Sequence, residues 1–171
     1  MPAIERPDTN NYFNFYGIEQ SFQIDATALK KLFLEKSRQF HPDFYTHDPE
    51  SQNIALAVSS FNNKAYKILG NEISRAQYLI ELHLTEEDSK QALPNAFLME
   101  MMDLNEAIDD LAYARDEAKE AQLSAEIRQL KEDILSEINS KATEANWHDT
   151  QIAILKWKYL ERLESRMHSL E

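Results

Sequence analysis

The tripeptide His41-Pro42-Asp43 holds the residue types best suited to chemistry in this chain. An imidazole can trade a proton near neutrality, a carboxylate can pair with a guanidinium, and a proline fixes the backbone between them. The stretch leading into it carries Lys30, Lys31 and Arg38, with Leu34 and Glu35 among them. On residue types alone the set is a basic helical patch leading to a proline turn with an aspartate. The alternative for the same residues is an ordinary loop beside a solvated helix face.

A second constellation lies further on. Phe97, Met101, Leu104, Ile108, Leu111 and Ala118 follow a three-four spacing that defines one core face. Leu98, Met99 and Met102 point about 100–200° away from Phe97 at helical spacing, and Asp103, Glu106 and Asp110 continue that side. Apolar residues bordered by carboxylates read as an interface, because methionine adapts to the shape of a partner. Cover by another helix of the same chain is the competing reading.

Catalytic and metal chemistry find little support. There is no cysteine, which removes thiol nucleophiles and Cys-based metal ligands. His41, His47, His83, His148 and His168 show no paired ligand spacing, and His41 and His47 with Asp43 and Asp48 make at best a weak site. Asp109-Asp110 and Glu86-Glu87-Asp88 read as solvated faces. No metal, no cofactor and no enzymatic activity are expected.

The elements that position these groups are helical. Two glycines and a single valine in 171 residues nearly exclude a β-rich fold or a glycine-rich phosphate loop. The net charge of −12 makes nucleic acid a poor partner. No apolar run approaches a membrane span. The first thirty residues lack a basic, then apolar, leader, and Glu5 and Asp8 argue against a transit peptide. The expectation is a soluble cytoplasmic protein.

Charge divides the chain. Residues 11–83 carry net −1 and residues 84–171 net −10. The polar run Thr85–Asn95 between them has the composition of a linker. In the first part, Tyr12–Tyr16 forms a short aromatic helix ended by Gly17. Asp25 caps a helix with Leu29, Leu32, Phe33 and Phe40 on its core face, which stops before Pro42. Lys36 falls in the middle of that face, and the simplest account is a packed stem with its ammonium at the edge. After a polar loop from Phe44 to Pro49, a long helix carries Ile54, Ala57, Val58, Phe61, Ala65 and Ile68 and ends at Gly70. The short loop packs the two helices antiparallel. A further helix covers about 73–83. The second part reads as three long helices, at about 95–119 with Asn95 as cap, 122–144 and 148–169, forming an elongated bundle.

The aromatic first helix, the basic second helix, His41-Pro42-Asp43, and a third helix ending Asn63-Lys64-Ala65-Tyr66-Lys67-Ile68-Leu69 together resemble the J-domain. More narrowly, Asn11-Tyr12-Phe13 with Phe15-Tyr16-Gly17, Arg75-Ala76-Gln77-Tyr78-Leu79, Leu82-His83 and Phe97-Leu98-Met99-Glu100 resemble the HscB subfamily, the J-type co-chaperones of iron–sulfur cluster assembly. The resemblance implies an all-α fold: a flexible N-terminus at 1–10, a J-domain with an antiparallel helical hairpin at 11–83, a linker at 84–94, and a C-terminal three-helix client-binding domain at 95–171. It implies that His41, Pro42, Asp43, Lys30, Lys31 and Arg38 meet an Hsp70-type chaperone (HscA or DnaK-like) and stimulate its ATPase. It further implies that Leu98, Met99, Met102, Asp103, Glu106, Asp110 and, more loosely, Tyr159 bind an iron–sulfur scaffold protein of the IscU type. Asp103 and Asp110 stand where the family carries glutamate, and Lys36 where an aliphatic residue is expected. The alternatives are a J-domain protein with another client, a structural dimerisation bundle, and a helical metal-dependent hydrolase, for which the core stripes hold almost no carboxylates.

Overall fold

The computed structural model describes residues 7–85, 87–88, 90–114 and 116–169. Within these there are seven α-helices and no strand: α1 (Tyr12–Tyr16), α2 (Ala26–Gln39), α3 (Pro49–Gly70), α4 (Glu72–His83), α5 (Asn95–Tyr113), α6 (Glu117–Thr143) and α7 (Trp147–His168). None of them is long and apolar enough to cross a membrane. The chain separates into two compact units, at Leu79/Ile80. Of the N-terminus expected to be flexible, residues 1–6 lie outside the described residues, as do Glu86 and the last two residues. Asp8 accepts hydrogen bonds from the Asn10 backbone N–H and the Asn14 side chain.

In the first unit, α1 packs four buried rings into five residues, Tyr12, Phe13, Phe15 and Tyr16. Its end is set by Gly17 at φ 65°, a left-handed conformation that any side chain would strain. Asp25 caps α2 through the Thr27 and Ala28 N–H groups. Asp48 caps α3 in the same way, and the hydrogen bonds from Ser51 hold its carboxyl below the usual range. Residue pairing gives the sense of the hairpin. Phe33 stacks on Tyr66 at 4.3 Å, while Ser37, one turn later on α2, accepts from Asn62, one turn earlier on α3. The two helices are therefore antiparallel.

The core line of α3 differs from the expected stripe. Ala55, Val58, Asn62, Ala65 and Leu69 are buried, Ile54, Phe61 and Ile68 lie half-buried on the flank, and Ala57 is exposed. Hydropathy missed Asn62, which is buried because all its polar atoms are used. Its Nδ2 donates to the Phe33 carbonyl at 3.1 Å and to Ser37 Oγ at 2.9 Å, and its Oδ1 accepts from the Tyr16 hydroxyl. Lys36 is half-buried, with its ammonium 5.1 Å from the Phe15 ring centre and 5.9 Å from that of Phe40, a cation over two aromatic faces. Arg75 is buried as well. It donates to the Phe22 carbonyl at 2.7 Å and to the Leu69 carbonyl at 2.5 Å, which satisfies an acceptor in the last turn of α3.

In the second unit, α5, α6 and α7 form the bundle. The first bundle helix stops at Tyr113 rather than near 119. Asp116 accepts from the Ala118 and Lys119 N–H groups and starts α6 at Glu117, where Glu117 and Glu120 complement the positive end of the helix dipole. Ala118 therefore belongs to α6 and is exposed, not part of the α5 core face. Asn95 is the first helical residue of α5 and does not cap it; Pro94 occupies the cap position without a side-chain bond. Helices α6 and α7 run antiparallel, tied by Lys131–Glu164 and Glu137–Lys156. Helix α5 runs with α7, since Phe97 meets Tyr159 and Asn105 and Asp109 meet Arg166. The α6–α7 turn closes with Ala145 at φ 55°, where the Asn146 N–H reaches back to the Lys141 carbonyl at 2.9 Å. His83, the last residue of α4, stacks on Trp147 at 4.8 Å with planes 3° apart.

Candidate functional site

The His41-Pro42-Asp43 segment is a hydrogen-bonded 3-10 turn over Pro42–Tyr45, not the open polar loop expected from Phe44 onward. His41 stands at its N-cap, and its Nδ1 accepts from the Asp43 backbone N–H at 3.3 Å. In the neutral imidazole that bond places the ring hydrogen on Nε2, away from the turn. The Phe44 N–H donates to the His41 carbonyl at 3.1 Å, and the Tyr45 hydroxyl donates to the Gln39 carbonyl at 2.9 Å. The turn is thus braced from within and from the end of α2. Its ionisable side chains remain outside: those of His41 and Asp43 are 53% and 83% exposed, 3.8 Å apart.

Lys30, Lys31 and Arg38 are all exposed on the side of α2 away from its buried residues, and Glu35 is exposed among them. Leu34, also on this side, is 43% exposed. Sequence reasoning passed over Phe44. It is 61% exposed, with its ring 5.7 Å from the His41 imidazole. The only signal available was its place directly after Asp43 in a turn, where no helical stripe claims it.

On α5 the residues sort by face. Phe97, Met101, Leu104, Ile108 and Leu111 are buried, whereas Leu98 is 36% exposed and Met99 and Met102 are each 68% exposed. Asp103, Glu106 and Asp110 are exposed on the same helix. No other described part of the bundle covers the two methionines. Tyr159 is half-buried on α7: its ring meets Phe97 edge-on at 6.0 Å, its hydroxyl accepts from Asn105 at 3.2 Å, and the Arg162 guanidinium lies 5.3 Å from its centre. It reaches α5 at Phe97 and Asn105, which bracket Leu98 and Met102 in sequence. Asn105 is a second residue that sequence reasoning missed. It ties Tyr159 and Arg166 to α5 while donating to the Met101 carbonyl, and nothing in its sequence setting announces that. Tyr113, at the end of α5, is 93% exposed.

Among the described residues no group of three or more His, Asp or Glu side chains is placed to hold a metal ion. What the two surfaces present is a hydrogen-bonded turn with a carboxylate and an imidazole beside cations in the first unit, and an uncovered thioether-and-carboxylate face in the second.

Comparison with known proteins fits this division. The family model described as the HSCB C-terminal oligomerisation domain matches residues 93–168. The chaperone HscB from Vibrio cholerae is similar in fold, with a TM-score of 0.73 and 24% identity over 93% of this chain and 96% of that one. The crystal structure of human co-chaperone protein HscB is similar with a TM-score of 0.81 and 25% identity over 98% of this chain and 85% of that one. The family match on the bundle and the fold match over nearly the whole length agree: residues 93–168 match the HSCB C-terminal family model, and the chain has the fold of the HscB co-chaperones.

Proposed function

We propose that the chain couples an Hsp70-type chaperone, HscA or DnaK-like, to an iron–sulfur scaffold protein of the IscU type, and so assists cluster assembly or transfer in the cytoplasm. The observation that carries this reading is the His41-Pro42-Asp43 turn, hydrogen-bonded within itself yet exposed. In this reading residues 11–83 act as a J-domain, 84–94 as a linker and 95–171 as the client-binding domain. Asp43 offers its carboxylate to a guanidinium on the chaperone, a pairing that orients strongly once partly desolvated. Lys30, Lys31 and Arg38 steer encounter with an acidic chaperone surface, each exposed contact being worth at most about 1 kcal/mol. Leu98, Met99 and Met102 supply the apolar centre for the scaffold, Asp103, Glu106 and Asp110 its charged border, and Tyr159 an aromatic edge.

The test is the steady-state ATPase of an HscA-type Hsp70. The purified chain raises it, and His41→Gln removes the stimulation while circular dichroism stays that of the parent. Equal stimulation by the variant overturns the assignment of the turn. A second reading has one observation in its favour, the description of the matching family model as an oligomerisation domain. Here the α5 face pairs with a second copy. A dimer seen by light scattering and lost on Met102→Asp supports it over scaffold binding.

A further inference from the structure

Leu34 and Phe44 are the exposed large apolar residues that flank the turn, one on the outer side of α2 and one in the 3-10 turn. Together with Ser37, Arg38, His41 and Asp43 they line a concavity of about 340 Å³. The Ser37 hydroxyl already accepts from buried Asn62, so the floor of the concavity is turned inward. What faces outward is an aliphatic side chain, an aromatic ring beside an imidazole, and two charged groups, Arg38 and Asp43. Arg38 has no ion pair among the described residues.

We infer that Leu34 and Phe44 form an apolar subsite beside the His41-Pro42-Asp43 turn, and that it takes a bulky aliphatic side chain which the chaperone partner presents between carboxylates. The inference rests on the proposed function and names the chemistry of the partner surface. A polar group placed on Leu34 and Phe44 would lose water without gaining a hydrogen bond, whereas an aliphatic one releases water from both. The neighbouring charge fixes the rest of the occupant. Lys30, Lys31 and Arg38 share this side of α2, so acidic groups around the aliphatic side chain are matched. Phe44 stands against His41, so filling the subsite also takes water from the imidazole and Asp43, where the guanidinium pairing then strengthens. In this arrangement the cations set the rate of encounter and the apolar pair holds the complex.

Salt separates the two contributions, because screening weakens exposed charge contacts and leaves apolar contacts intact. The measurement is the concentration of full-length chain giving half-maximal stimulation of an HscA-type Hsp70 ATPase, at low and at high salt. Leu34→Ala with Phe44→Ala raises it at least fivefold at both, Phe44→Leu stays within twofold of the parent, and the effect of Arg38→Ala shrinks at high salt. Both residues are exposed, and circular dichroism checks that the fold is kept. An unchanged half-saturation for the double variant, with the parent active, overturns the subsite alone. A parent chain that fails to stimulate at all overturns the proposed function with it. If the double variant instead changes the mass seen by light scattering, the occupant is a second copy of this chain and the inference is wrong.

Discussion

The Tyr16 hydroxyl donates to Asn62 Oδ1 at 2.8 Å within the core of the first unit. Through this bond α1 is tied to α3, and through the Asn62 amide α3 is tied to the Phe33 carbonyl and Ser37 of α2. One asparagine thus joins the three helices that hold the His41-Pro42-Asp43 turn at the end of its hairpin.

Removing the phenol with Tyr16→Phe should lower stability by about 1–3 kcal/mol, because it leaves the buried Asn62 Oδ1 without its donor. Burial, with a smaller contribution from Tyr66, raises the pKa of Tyr16 above its ordinary 10.0. The group's contribution is therefore intact below pH about 10, the unfolded value, and is lost as pH rises beyond it toward the folded value. Thermal melts followed by circular dichroism should show the parent losing stability between pH 9 and about 11 more steeply than Tyr16→Phe. Parallel slopes would show that the phenol is not held neutral by the fold.

Ala145 sits at φ 55° at the end of α6, in the position where helix endings favour glycine. Ala145→Gly relieves the clash of Cβ with the backbone, at a cost in unfolded-chain entropy. The expected net gain is about 0.5–1 kcal/mol in urea unfolding. A loss of stability would mean that the turn adopts another conformation in solution.

Leu98→Ala combined with Met102→Ala should weaken binding of an IscU-type scaffold several-fold or more, because each large side chain buried in an interface contributes about 1.5–3 kcal/mol before entropic costs. Titration calorimetry gives the affinity. Both side chains are exposed, so the melting temperature of the free chain should change little. Unchanged affinity would place the scaffold surface elsewhere on the chain.

The sequence by itself determined the all-helical class and the place of most helices, though not the boundary between α5 and α6. Gly17, Asp25, Pro42 and Gly70 mark helix boundaries because their backbone or capping preferences act locally: α2 begins after Asp25 and stops before Pro42, α1 ends at Gly17, and α3 ends on Gly70. The division of α5 into a line through Phe97, Met101, Leu104, Ile108 and Leu111 and a different face with Leu98, Met99 and Met102 follows from the geometry of a single helix, whereas the exposure of that second face is a property of the packed bundle. Only the tertiary structure decided which polar groups could be buried and which apolar groups stay outside. Asn62 and Arg75 lie in the core because their partners, Tyr16, Phe33, Ser37, Phe22 and Leu69, come from elsewhere in the chain. Lys36 keeps its place on the core side because the Phe15 ring, brought in from α1, and the Phe40 ring, one turn on at the end of its own helix, both face its ammonium. Phe44 is exposed because the turn that carries it is closed by backbone bonds and by Tyr45, none of which hydropathy can see. Helix periodicity is a property of neighbours three and four apart, whereas satisfaction of a buried polar atom depends on residues brought together by folding.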